Sequence, residues 1–164
     1  LGDEMASRTV TVNGVAKTYA MTGWRIGYLA APKEIAAACA RIQGQTTSAP
    51  SSISQRAALA ALQAGPRVYE AMLAEFRQRR DFILGALSPK ISVVKPMGAF
   101  YFFLRFGRLT SEECGRRLLD EQKVAVVPGK DFGADEYVRI SFATSLENLQ
   151  KAVQRMNAFA EANI

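Results

Sequence analysis

The hydrophobic pattern of this chain switches between a period of two and a helical period several times. Arg8-Thr9-Val10-Thr11-Val12 alternates and is rich in β-branched residues, which predicts a strand. Ile26-Gly27-Tyr28-Leu29-Ala30-Ala31 is a second short apolar run, ended by Pro32. Residues 33–43 are alanine-rich and helix-prone. The polar stretch Gln45 to Ser52 breaks that pattern. Ser52 and Gln55 then match a capping box, predicting a helix through Ala64 that Gly65-Pro66 closes. From Arg67 to Leu87, Tyr69, Met72, Leu73, Phe76, Ile83, Leu84 and Leu87 fall near helical spacing, and Ser88-Pro89 stops the run. This stripe is read as core packing, with no chemistry assigned to it.

Beyond Lys90 the pattern shortens. Residues 90–95 and 100–104 predict strands on either side of Pro96-Met97-Gly98-Ala99. Thr110 with Glu113 matches a capping box and opens a helix to Gln122. Val124 to Val127 predicts a short strand ended by Pro128-Gly129, and Tyr137 to Phe142 alternates as another strand. Thr144 with Glu147 caps a last helix carrying Leu146, Leu149, Val153 and Met156. Strand-strand-helix-strand-strand-helix predicts a compact α+β layer. No internal repeat or low-complexity linker interrupts it.

Composition narrows the chemistry. The 164 residues suffice for a substantial core, and 49% hydrophobic with 22% charged residues is a globular balance. No apolar run is long enough to span a bilayer. The chain opens Leu1-Gly2-Asp3-Glu4, with neither an initiator methionine nor signal-peptide features, and is read as the later part of something longer. Cys39 and Cys114 stand alone without CxxC spacing, which suits a reducing, cytoplasmic setting. With no histidine, a Ser-His-Asp triad and the usual zinc sites are excluded, so no metal is expected. Proton transfer falls to Lys, Tyr, Asp or Glu. The net charge of +6 is spread over several helices without a basic tail, and nucleic-acid binding is not expected.

The candidate chemistry lies between the first two strands, in Asn13-Gly14-Val15-Ala16-Lys17-Thr18-Tyr19-Ala20-Met21-Thr22-Gly23-Trp24-Arg25-Ile26-Gly27. Lys17 and Arg25 stand there among small and apolar residues. A desolvated lysine is a usable amine nucleophile that forms Schiff bases with carbonyl compounds. An arginine supplies the bidentate fork that suits a phosphate. A Walker A loop is the rival phosphate site, but the glycine it requires directly before Lys17 is absent.

Gly14-Val15-Ala16-Lys17-x-x-Ala20-Met21-x-Gly23-x-Arg25-Ile26-Gly27 resembles the lysine-attachment signature of the class I/II aminotransferases, pyridoxal-phosphate enzymes of the aspartate aminotransferase fold. The resemblance implies that Lys17 is the Schiff-base lysine and Arg25 a ligand of the cofactor phosphate. Some members carry a serine where this chain has Gly14, and that hydroxyl contact would be missing. Tyr137-Val138-Arg139-Ile140-Ser141-Phe142-Ala143 is similar to the segment whose arginine clamps the substrate α-carboxylate, which makes Arg139 the substrate-binding candidate. Alternation places Tyr137, Arg139 and Ser141 on one face of the strand. Arg105 has no such pattern around it and is read as an edge arginine. Val127-Pro128-Gly129-x-x-Phe132-Gly133 and Gly98-Ala99-Phe100-Tyr101 also resemble family segments near the substrate. The Thr/Ser run at 45–52 is either a helix-helix loop or, by resemblance, a segment near the active site across a dimer interface.

The resemblance runs from Thr9 to the C-terminus and implies the C-terminal half of such an enzyme. The expected fold class is α/β: residues 1–65 as the end of the cofactor-binding large domain, 66–89 as a long interdomain helix, and 90–164 as a small α+β domain. The implied activity is transfer of an amino group from an L-amino acid to a 2-oxo acid by a homodimer that uses pyridoxal 5′-phosphate. The 164 residues alone are expected to be inactive. Residues that stack on the cofactor ring and pair with its nitrogen would lie outside them. A lyase or decarboxylase of the same fold, or a non-catalytic fragment or subunit, remain as alternatives.

Overall fold

A computed structural model describes residues 2–164. The chain forms two compact units, 1–71 and 72–164, whose division falls inside one long helix.

In the first unit a short helix α1 (Asp3–Ala6) leads into strand β1 (Thr11–Gly14), which pairs antiparallel with β2 (Gly27–Ala30). The ladder begins three residues later than the alternation predicts and runs through Asn13 to a terminal Gly14–Gly27 pair. Both strands are largely exposed, with Val12 75% accessible, so no buried face fixed the boundary. Helices α2 (Lys33–Thr46) and α3 (Ser52–Ala64) follow. The capping box expected of Ser52 and Gln55 does not form. Ser51 occupies the cap without a side-chain bond, and Gln55 Nε2 donates instead to the Pro50 carbonyl at 2.9 Å. Gly65 ends α3 at φ 66° and opens a 3-10 turn over Gly65–Val68, with Pro66 in its first positions. That turn delays α4 (Glu70–Ala86) by three residues relative to the hydrophobic stripe.

The second unit is a four-stranded antiparallel sheet in the order β3-β4-β6-β5, formed by β3 (Ile91–Val94), β4 (Tyr101–Phe106), β5 (Val127–Pro128) and β6 (Val138–Ser141). Helices α5 (Ser111–Gln122) and α6 (Leu146–Asn163) pack with it. Phe102, Leu104 and Phe106 of β4 and Val138 and Ile140 of β6 share a core with Leu118, Val153, Met156 and Phe159. Ile83 of α4 is fully buried there, with Phe76, Leu84 and Leu87 partly buried around it, while Leu73 of the same stripe is exposed. Burying sixteen such residues supplies the main stabilising term of this unit. Asn157 of α6 closes the end of α4, accepting from the Ser88 amide at 2.8 Å and donating to the Ala86 carbonyl at 2.9 Å. Lys90 and Ser88 both bond Glu161 and hold its carboxyl below the usual range.

Of the two helix caps expected in this unit, one forms as read and one is shifted. Thr110 caps α5 as expected, accepting from the Glu113 amide. The cap of α6 is Ser145, one residue beyond Thr144, and it accepts from the Asn148 amide at 3.2 Å. Residues 124–126 are not strand. Lys123 adopts a left-handed conformation, and the Val124 amide reaches back to the Leu118 carbonyl at 3.1 Å. That helix-closing turn uses the backbone groups a ladder would need.

Candidate cofactor and substrate site

The segment between β1 and β2 is a compact loop fastened to α3. Val15 is 1% exposed and Met21 is 9%, and both pack against Ala58, with Tyr19, Ile26, Ala57 and Ala61 around them. Its backbone is closed by the bonds Tyr19 N–H to Val15 O (3.2 Å), Met21 N–H to Ala16 O (3.0 Å) and Trp24 N–H to Met21 O (3.2 Å). The Tyr19 and Tyr69 rings meet edge to face at 5.5 Å. Small and apolar residues at these positions thus anchor the loop, and the residues between them face outward.

Lys17 and Arg25 are two of those outward residues, and both are exposed. Gly14 and Gly27 form the last pair of the hairpin, so Lys17, three residues beyond Gly14, and Arg25, two before Gly27, leave from the same end. Arg25 sits at φ 50° and ψ 51°, and its Nη1 donates to the Thr22 carbonyl at 3.0 Å. A left-handed conformation is unfavourable for a residue with a Cβ by about 1 kcal/mol, and the loop holds it there. No acidic residue occurs between Glu4 and Glu34, while Arg8, Lys17, Arg25 and Lys33 do, so this stretch of chain is net positive. A Cβ on Gly14 would lie 3.4 Å from the Ile26 carbonyl oxygen, which is ordinary contact, so this position is not sterically reserved for glycine.

Arg25 lines an open cleft of about 440 Å³ with Trp24, Gln43, Thr47, Ser51 and Ser54. A guanidinium beside several hydroxyls is a donor set that suits a phosphate. The polar run at 45–52 therefore contributes to the same cleft as Arg25. Trp24 and Ser54 also line the cleft, at positions that no motif in the sequence specifies.

Arg139 belongs to the second unit. Val138 and Ile140 are buried at 1% and 8%, and Arg139 points to the other face of the sheet, as the alternation predicts. Its cross-strand partners are Phe103 and Val127. The guanidinium carbon lies 4.4 Å from the Tyr101 ring centroid and 4.5 Å from that of Phe132. Arg105, on β4, is exposed. Among the described residues no His/Cys/Asp/Glu group could hold a metal ion, and no helix is long and apolar enough to cross a membrane.

Comparison with known proteins gives these features a family. Residues 1–156 match the family model described as Aminotransferase class I and II. A bifunctional aspartate aminotransferase and glutamate/aspartate-prephenate aminotransferase of Petunia hybrida is 46% identical over 93% of this chain and 35% of its own length. The aspartate aminotransferase of Geobacillus stearothermophilus is 44% identical over 99% of this chain and 44% of its own. Among solved structures, the aspartate aminotransferase of Rhizobium meliloti superposes with a TM-score of 0.90 at 39% identity, covering 98% of this chain and 44% of that one. The chain thus spans less than half the length of the relatives it matches. Its mixed helix and sheet architecture is that of the aspartate aminotransferase fold. This chain belongs to the class I and II aminotransferase family.

Proposed function

We propose that this chain carries the cofactor-binding lysine and the substrate-binding arginine of a pyridoxal-phosphate-dependent aminotransferase. One observation carries the reading: Lys17 and Arg25 leave the same end of one hairpin, and Arg25 opens onto a hydroxyl-lined cleft. When bound, pyridoxal 5′-phosphate supplies the electron sink that lets an amino acid lose its Cα proton. Lys17 would hold the cofactor, and its amine, when free, would carry that proton. Arg25 binds the phosphate with its N–H fork, with Thr47, Ser51 and Ser54 as neighbouring hydroxyls. Arg139 pairs with the substrate carboxylate through its N–H fork.

The names of the relatives support L-aspartate as the amino donor and a 2-oxo acid as acceptor. On this reading the complete enzyme is a cytoplasmic homodimer. The exposed Val12, Ile42 and Ile53 of the first unit, each above 60% accessible, are surface for the rest of the polypeptide or a second copy to cover. The test is amino transfer by the full-length holoenzyme from L-aspartate to 2-oxoglutarate, measured as oxaloacetate and glutamate formed in equal amounts. Lys17→Ala should abolish it. Absence of transfer in the unaltered enzyme, or undiminished turnover in Lys17→Ala, would refute the proposal.

A further inference from the structure

Arg139 is held differently from four other arginines of the second unit. Arg79, Arg80, Arg116 and Arg117 each pair with a carboxylate. Among the described residues, the Arg139 guanidinium engages two aromatic faces and no carboxylate. A guanidinium stacked on a ring is fixed by its plane, and its in-plane N–H groups stay available as donors. A carboxylate partner would occupy the same N–H groups that a substrate carboxylate needs.

Both rings are themselves fixed. Tyr101 is on β4, two residues along from Phe103–Arg139 and on the same face, where a diagonal cross-strand contact reaches. Its ring also contacts Phe100 at 4.6 Å. Phe132 ends a 3-10 turn over Gly129–Phe132 and meets Phe103 edge to face at 5.9 Å. That turn is tied down by Ser111 at the start of α5, which is 1% exposed. Ser111 Oγ donates to Asp135 Oδ1 at 2.7 Å and accepts from the Lys130 amide at 3.2 Å. The Ser111 amide donates to the Asp135 carbonyl. Phe132 is 49% exposed, so the ring lies at the open side of the sheet rather than in the core.

We propose that Tyr101 and Phe132 are positioning residues that hold the Arg139 guanidinium by its faces and so present its N–H edge to the substrate carboxylate. This rests on the reading of Arg139 given above. The rings act before substrate arrives: they fix the fork in advance, so that binding does not have to order a long flexible side chain. An aliphatic replacement fills similar space without the ring's negative face, and the guanidinium then regains its rotamers.

The test uses the full-length holoenzyme and the steady-state constants for L-aspartate, compared with binding of its α-amide, which lacks the carboxylate charge. Phe132→Leu and Tyr101→Leu should each raise KM for L-aspartate about three- to tenfold, in keeping with loss of a partly desolvated cation–π contact. Their preference for the acid over the amide should fall in step, while kcat and cofactor content change little. Tyr101→Phe, which keeps the ring, should restore KM to within about twofold, an outcome a hydroxyl-based role would not give. Phe132→Leu removes a half-exposed side chain and leaves the Ser111 bonds in place, so it tests the idea without unfolding the unit. The proposal is overturned if Arg139→Ala raises KM steeply while both leucine variants stay within about twofold of the unaltered enzyme. In that case the role of Arg139 stands and the rings are packing. If Arg139→Ala itself leaves KM and acid preference unchanged, both this inference and the reading beneath it fail.

Discussion

The amide of Gly129 donates to the carbonyl of Tyr137 at 2.8 Å, and a methyl group on Gly129 would be driven into that same carbonyl. The Ala134 carbonyl closes the other side of the position. Two backbone carbonyls cannot step aside as a side-chain tip can. Gly129→Ala should therefore destabilise the second unit by about 3 kcal/mol, the upper end of overpacking costs. Urea denaturation of the full-length protein measures this. A loss under about 0.5 kcal/mol would mean that the 129–134 turn relaxes freely, contrary to its bonding.

Arg25 offers a sharper test of the proposed phosphate site. Arg25→Ala should weaken pyridoxal 5′-phosphate by about 2 kcal/mol, roughly thirtyfold, as expected for a lost charge-assisted bond. Unphosphorylated pyridoxal should be affected far less. Arg25→Lys should rescue poorly because it lacks the fork. Glycine is the wrong control, since it would also relieve the backbone strain at φ 50°. Equal weakening of both ligands would place Arg25 away from the phosphate.

The two cysteines should differ in reactivity. Cys114 is 3% exposed, and burial pushes its thiol up to about 12, partly opposed by Arg117 and reinforced by Glu113. Cys39 is half-buried. At pH 8 a thiol reagent should label Cys39 while Cys114 stays protected until unfolding. The sign of the pH effect follows from the raised value. The folded thiol keeps its proton where the unfolded one loses it, so the stabilisation is full below about pH 9 and is lost as pH rises toward 12. A Cys114→Ala variant should show a flatter alkaline limb in a denaturation series.

Local signals in the sequence carried most of the second unit. The alternation of 137–142 named the buried Val138 and Ile140 and put Arg139 opposite them, because a strand with one buried face can satisfy only one register. Thr110 was legible because its hydroxyl and the Glu113 amide meet within a single turn. Failures came where backbone geometry was not tied to a characteristic residue. The turn after α5 uses Lys123 in a left-handed conformation where glycine is usual, so 124–126 read as strand. The first hairpin exposes both faces, so alternation gave its presence and missed its ends. Lys17 and Arg25 were legible as candidates through the spacing of their whole segment. The aromatic partners of Arg139 were not, because a diagonal contact on β4 and a turn beyond β5 converge only in the folded sheet.

The central claim is that Lys17 is the residue that holds the cofactor. The most direct measurement is borohydride reduction of the full-length holoenzyme, followed by proteolysis and mass mapping of the pyridoxyl group. The prediction is a single modified peptide with the label on Lys17, lost in Lys17→Ala and displaced to no other lysine. A pyridoxyl label on Lys33 or Lys130, with Lys17 unmodified, would contradict the account.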